Sequence, residues 1–137
     1  LKNNMYTLKK GEKHQIAKHF WSHEFDCQCK YKDCIYTLVT EQMIDHLIKL
    51  REILGPIHIT NAYRCQRHQD DIRASGIKTT IGPSTHQMAM AVDIKTNKHS
   101  GTELEKVARE NGFKAVGVAK DWIHIDLRND KKRHWVY

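Results

Sequence analysis

Between Thr40 and Leu54 the apolar residues Met43, Ile44, Leu47, Leu50 and Leu54 recur at the three-and-four spacing that lines one face of an α-helix. Thr40 suits the N-cap and Gly55-Pro56 the stop, so the pattern predicts a helix across this stretch. The period then changes. Ile57-His58-Ile59-Thr60 alternates as a half-buried strand does, and Asn61-Ala62-Tyr63-Arg64 follows directly. Ser100 with Glu103, or Thr102 with Glu105, forms a capping box ahead of Leu104, Val107 and Ala108, and Gly112 ends that helix. Ala115 to Val118 and Trp122 to Leu127 read as short strands joined by a turn near Ala119-Lys120. Arg133 to Tyr137 closes the chain, with Trp135 as packing.

Two stretches are less regular. Met5 to Phe25 sets Ile16, Phe20, Trp21 and Phe25 among polar residues and is expected to be an irregular arm laying its aromatics on the core. Gln66 to Pro83 is rich in charge, Ser, Thr and Gly, and reads as a short helix around His68 to Ala74 followed by a loop; loops beside sites often set specificity.

A chain of 137 residues is the size of one domain, able to bury roughly two thirds of its unfolded surface. No apolar run approaches the ~20 residues that span a bilayer, so no membrane partner is expected. Nor does a basic start precede an apolar segment, so no secretory signal is read. Leu1 to Asn4 are expected to be a processing remnant, with Met5 a candidate original start. A net charge of +7 favours polyanions such as nucleic acids, acidic membranes or cell-wall polymers. The basic residues are scattered, with only Lys131-Lys132-Arg133-His134 forming a run, and no aromatic platform interleaves with them. They read as a solvated surface, and no nucleic-acid partner is expected.

Candidate chemistry begins at Ser84-Thr85-His86-Gln87-Met88-Ala89-Met90-Ala91-Val92-Asp93, where an imidazole and a carboxylate stand seven positions apart. Extended chain would separate them by about 23 Å and helix by about 10 Å. A shared zinc ion needs both ligand atoms within about 2.0 to 2.2 Å, so the backbone would have to double back, with Ala89 and Ala91 leaving room. His124, flanked by Asp121 and Asp126 on a strand-like run, is the candidate third ligand. Arg64 follows a strand, where a permanently charged guanidinium suits a carboxylate or a developing oxyanion.

Other clusters carry less. His19 and His23 are four apart, but the nearby glutamate is Glu24, outside the pair, so the two read as surface or packing residues. The four cysteines are Cys27, Cys29, Cys34 and Cys65. Two disulfides, free thiols and a structural metal ion all remain open. The ion is not favoured, because one residue between Cys27 and Cys29 is short of the usual two to four. No base stands near them to activate a nucleophile.

The order Tyr63-Arg64, then Ser84-x-His86 with Asp93 seven beyond the histidine, then His124-x-Asp126 on a late strand, resembles the zinc D-Ala-D-Ala metallopeptidase family. That family includes peptidoglycan carboxypeptidases, the D-Ala-D-Ala dipeptidase of vancomycin resistance and bacteriophage endolysins, and it shares its fold with the Hedgehog signalling domain. The similarity runs from about Phe20 to Arg128, and Phe25-x-Cys27-x-Cys29 is similar to phage members. It implies an α+β fold, a small antiparallel sheet with helices packed on it, in one domain over 20–137 after an arm over 1–19.

The resemblance also implies site roles. His86, Asp93 and His124 become ligands of one catalytic Zn²⁺, Arg64 and Ser84 contact substrate, and Asp121, three before the last ligand, becomes the catalytic carboxylate. Asp126 is its rival, since a step of two along a strand returns to the face of His124; its other role would be to hold a ligand or Arg128. Zinc would acidify a water, Asp121 would take its proton and pass one to the leaving amine, and zinc with Arg64 would stabilise the oxyanion. Glycine is usual in the family where this chain has Ala62 and Ala89, and the interval from Arg64 to Ser84 is long, which bears on substrate choice.

The expectation is therefore a monomeric zinc peptidase acting on peptidoglycan stem or cross-link peptides, at the cell wall, reached by phage lysis or by prior processing. A zinc-containing cell-wall binding module of the same fold without turnover is the alternative. A Cys/His metal-dependent nuclease is a third class, but the chain offers no recognisable phosphate-binding arrangement.

Overall fold

The computed structural model describes residues 4–77, 84–96, 98–128 and 132–137. The expectations for Leu1 to Asn3, for Lys131 and for the loop at 78–83 fall outside them. In chain order the elements are β1 (Met5–Lys9), β2 (Gln15–Ala17), β3 (Phe20–Trp21), a 3₁₀ turn (Ser22–Phe25), β4 (Tyr36–Thr40), α1 (Glu41–Leu54), β5 (Ile59–Asn61), α2 (Gln66–Ala74), β6 (Ala91–Lys95), α3 (Gly101–Glu110), β7 (Ala115–Val118), β8 (Trp122–Asp126) and β9 (Arg133–Val136).

The helices start and stop for the reasons written in their ends. The Thr40 hydroxyl accepts the Met43 amide at 3.2 Å, and Gly55 leaves α1 at φ +81, a backbone angle that costs glycine nothing. Of the two boxes proposed for α3, Ser100 is the one used: its hydroxyl accepts the Glu103 amide at 3.1 Å. The Glu103 carboxylate turns away from its half of the box and pairs with His99 at 3.1 Å.

The main sheet has strand order β5-β6-β8-β7-β9. Neighbours are antiparallel except β7 and β9, which run parallel, so the last strand departs from a purely antiparallel sheet. Alternation gives its two faces different work. Val92 and Ile94 of β6, Val116 of β7 and Ile123 and Ile125 of β8 join Met43, Leu47 and Leu50 of α1, Leu104 and Ala108 of α3, and Phe20, Phe25 and Phe113 in one buried cluster. Truncating one of its large members, such as the fully buried Leu47, to alanine costs about 2–5 kcal/mol.

The opposite face carries a row of chemically different side chains. Register places Asn61 beside Asp93, Asp93 beside His124, His124 beside Gly117, and Gly117 beside Trp135. Gly117 has to lack a side chain: a Cβ there would lie 2.4 Å from the Trp135 indole.

The N-terminal segment is not irregular. β1 pairs antiparallel with β4 and β2 with β3. Tyr, Thr, Leu and Val in β4 have the shapes a pleated strand accommodates, but the partner strand lies about thirty residues upstream, beyond the reach of a local pattern. Two of its aromatics lie on the core as expected, Phe20 and Phe25 being buried and meeting edge to face at 6.1 Å, but Trp21 is 45% exposed because alternation along β3 turns it away from Phe20. Among the described residues no helix is long and apolar enough to cross a membrane.

Candidate metal centre and cleft

His86, Asp93 and His124 come from three different backbone settings. Residues 85–89 form a turn, in which the Gln87 amide donates to the Ser84 carbonyl (3.0 Å), Ala89 to His86 (3.2 Å) and Met90 to Thr85 (2.9 Å). This turn performs the reversal that the His86–Asp93 spacing demanded. Ala89 passes through it at φ +55, where an L side chain is strained by roughly 1–2 kcal/mol. Ala62, the other position where glycine is usual, has no positive φ. Asp93 and His124 then face each other across β6 and β8.

The three side chains are buried, each 4–5% exposed. His124 Nδ1 lies 3.0 Å and His86 Nε2 3.4 Å from Asp93 Oδ1, and one donor atom from each of the three falls within 4.8 Å of the others. The remaining ring nitrogens are held from behind. His86 Nδ1 is 2.7 Å from the Ala62 carbonyl, and His124 Nε2 is 2.8 Å from Asp126 Oδ2. An acceptor at one nitrogen keeps the proton there and leaves the lone pair of the other pointing inward, the usual arrangement behind a metal-bound imidazole. The donor set therefore fits a zinc ion: two imidazole nitrogens and one carboxylate oxygen.

Charge agrees with geometry. Burial would raise the Asp93 carboxyl, but hydrogen bonds from His124 and His86 hold it well below the usual carboxylate range. Burial pulls His86 down, against the pull of Asp93. Burial acts the same way on His124, but Asp126 and Asp93 outweigh it and push that imidazole up. A bound cation would replace the His124 Nδ1 proton that faces Asp93 and leave the Nε2 proton on Asp126.

The cluster opens into a cleft of about 1200 Å³ whose walls include Arg64, Ser84, Asp121, Trp122, Trp135 and Tyr137. Arg64 Nη1 donates to Gln69 Oε1 of α2 at 2.9 Å. Arg64 Nε and the Ser84 hydroxyl are buried with no hydrogen-bond partner among the described residues. Buried polar atoms are nearly always satisfied, and both residues line the cleft, so these two atoms are available to a polar ligand group. Burial also pulls the Arg64 guanidinium down, with Asp93 opposing.

The two aspartates around His124 stand differently. Asp121 is exposed on the cleft wall. Asp126 is fully buried and accepts from Arg128 Nε (2.8 Å) and Nη2 (2.7 Å) as well as facing His124; it is not part of the wall. Burial would raise its carboxyl, but Arg128 and His124 hold it well below the usual range. Trp135 stacks against His124 with ring centroids 5.3 Å apart. Gln69 escaped the sequence reading, because its contact with Arg64 spans the start of a helix and leaves no periodic trace. The Ala62 carbonyl behind His86 left none either, as backbone groups have no letter of their own.

His19 and His23 stay outside the site. His19 sits in a turn 4.0 Å from Glu52, and His23 is exposed on the 3₁₀ turn. The cysteines do not stay apart. Cys27, Cys29, Cys34 and Cys65 bring their sulfurs within 4.8 Å of one another, so the short Cys27–Cys29 spacing is no obstacle to convergence.

A family model described as Peptidase M15 matches residues 18–126. No curated protein matches the chain.

Proposed function

Because the chain belongs to the peptidase M15 family, a family of zinc-dependent metallopeptidases, we propose that it hydrolyses peptide bonds in peptidoglycan stems or cross-links. The observation that carries this reading is the buried His86–Asp93–His124 set opening beside two unpartnered polar atoms, Arg64 Nε and Ser84 Oγ. A guanidinium and a hydroxyl together suit a peptide carboxylate or carbonyl, such as the terminal carboxylate of a stem ending in D-alanine. A cleft of about 1200 Å³ has room for a peptide segment beyond the scissile bond.

His86, Asp93 and His124 would hold a zinc ion, which when bound would supply the Lewis acidity that lowers the pKa of water towards ~7 and polarises a carbonyl. The protein's own groups do the rest. Asp121, on the cleft wall, accepts the proton of the attacking water and returns one to the leaving amine. Arg64 orients the substrate and faces the charge that develops on the carbonyl oxygen. Asp126 keeps the proton on His124 Nε2 and the ring in place, since its oxygens are engaged by His124 and Arg128. The site of action is the cell wall.

Digestion of purified sacculi with and without a zinc chelator, with fragments read by mass spectrometry, tests the reading. Chelator-sensitive loss of D-alanine identifies a carboxypeptidase, and chelator-sensitive cross-link or stem cleavage an endopeptidase. Zinc-loaded protein that binds sacculi from several wall types but releases nothing from them would overturn wall hydrolysis in favour of a binding module.

A further inference from the structure

Cys27, Cys29, Cys34 and Cys65 lie within 4.8 Å of one another at sulfur, and none is in a disulfide. Disulfides would join sulfurs in pairs at about 2.05 Å and give no reason for all four to converge. A tetrahedral zinc ion, with Zn–S bonds of about 2.3 Å, spaces its sulfurs about 3.8 Å apart, inside the observed limit. The surroundings suit anionic sulfur. The Cys65 amide donates to Cys27 Sγ and the His68 amide to Cys65 Sγ, both at 3.4 Å. Lys10 Nζ is 3.6 Å from Cys29 Sγ, and His68 Nδ1 is 3.6 Å from Cys27 Sγ. Four thiolates around a divalent cation leave net negative charge, and an ammonium with amide donors is the shell that offsets it.

The segment carrying three of these cysteines is otherwise held by single contacts: the Lys10 amide donates to the Ile35 carbonyl at 2.8 Å and Gln28 Nε2 to the Thr60 carbonyl. Residues 27–35 form neither helix nor strand, and Cys27 alone among them is buried. Arg67 pairs with Asp33 and lies 4.2 Å over the Tyr31 ring, and the Tyr31 hydroxyl donates to Asp71 at 2.8 Å. Such exposed contacts contribute little each. Cys65 is the N-cap of α2 and the neighbour of Arg64.

We propose that Cys27, Cys29, Cys34 and Cys65 hold a second, structural zinc ion that clamps segment 27–35 onto the start of α2 and so fixes Arg64 at the cleft. Four soft sulfurs in this arrangement select zinc or iron over harder cations; the redox-inert ion suits a clamp. The inference stands whether or not the protein cuts peptidoglycan.

Metal analysis of the purified full chain by mass spectrometry, under reducing conditions, is the test. The expected result is two zinc ions per chain. Titration of the native protein with an organomercurial releases one of them, while the ion at His86, Asp93 and His124 stays bound. The double variant Cys29→Ser, Cys34→Ser, altered at two of the three partly exposed members, retains one ion, and hydrogen exchange quickens at residues 27–35 and 65–68 but not in β6 or β8. If that variant does not fold, the mercurial titration of the unaltered protein decides. A single zinc per chain that His86→Ala removes entirely, four thiols that react in the native protein without releasing metal, iron in place of zinc, or intact masses showing disulfides would each overturn the proposal.

Discussion

The two clusters of side chains that could hold a metal ion are built in opposite ways. His86, Asp93 and His124 sit on or beside a five-stranded sheet whose register sets two of them face to face, and each imidazole is braced from behind by a carbonyl or a carboxylate. The cysteines sit on an irregular segment and a helix N-cap, braced by amides and one lysine. In the first cluster strand pairing has already met the entropic cost of bringing Asp93 and His124 together. The second has no such scaffold, and a bound ion would itself organise the segment. Reactive centres gain from rigidity fixed in advance, and clamps from closing on what they bind.

The strongest challenge to this contrast is His124→Ala. It removes a ligand while leaving Asp126 held by Arg128, and metal at the sheet site and peptidase activity are expected to fall together to background, while the cysteine metal and the circular-dichroism spectrum persist. Loss of fold instead would mean that the sheet depends on its ion.

Asp121→Asn sharpens the division of labour within the sheet site. Zinc content should be unchanged and kcat lowered by roughly 10²–10⁴-fold, the range for a positioned acid–base group. Full activity here, with loss in Asp126→Asn, would move that role to Asp126.

Asp126→Asn probes the brace. Metal affinity should weaken by about 10–100-fold, measured by competition with a chromophoric chelator. The variant also has a pH signature in the metal-free protein. The folded-state carboxyl is depressed below its ordinary value of 3.8, so its contribution to stability is full above that value and is lost as pH falls through the folded-state value. The gap in denaturant midpoint between the original protein and the variant is expected to be widest near neutrality and to close as the solution is acidified below about pH 4. A gap constant with pH would mean that the carboxylate does not carry the effect.

The smallest effect is expected at the turn that delivers His86. Ala89→Gly relieves the positive φ but frees the unfolded chain, so the net gain should be under about 1 kcal/mol, read as a slight rise in Tm. A fall in Tm would mean that contacts of the buried Ala89 methyl outweigh its backbone strain.

Local chemistry along the chain determined a good deal. The Thr40 cap, the Gly55 stop and the Ser100 cap act within a few residues of the groups they serve, so neighbouring letters suffice to read them. The reversal between His86 and Asp93 was equally legible, because a shared ion at that separation would require one and Ala89 and Ala91 leave room for it. Tertiary structure alone decided other features. The β1–β4 pairing, the parallel docking of β9 and the approach of Trp135 to Gly117 each join segments whose affinity depends on a partner distant in sequence. So do the meeting of Cys65 with the 27–34 cysteines and the choice of Asp126 as the brace of His124 while Asp121 faces the cleft. Periodicity tells which face of an element is apolar, but not which other face it meets, because that is set by the packing of the whole core.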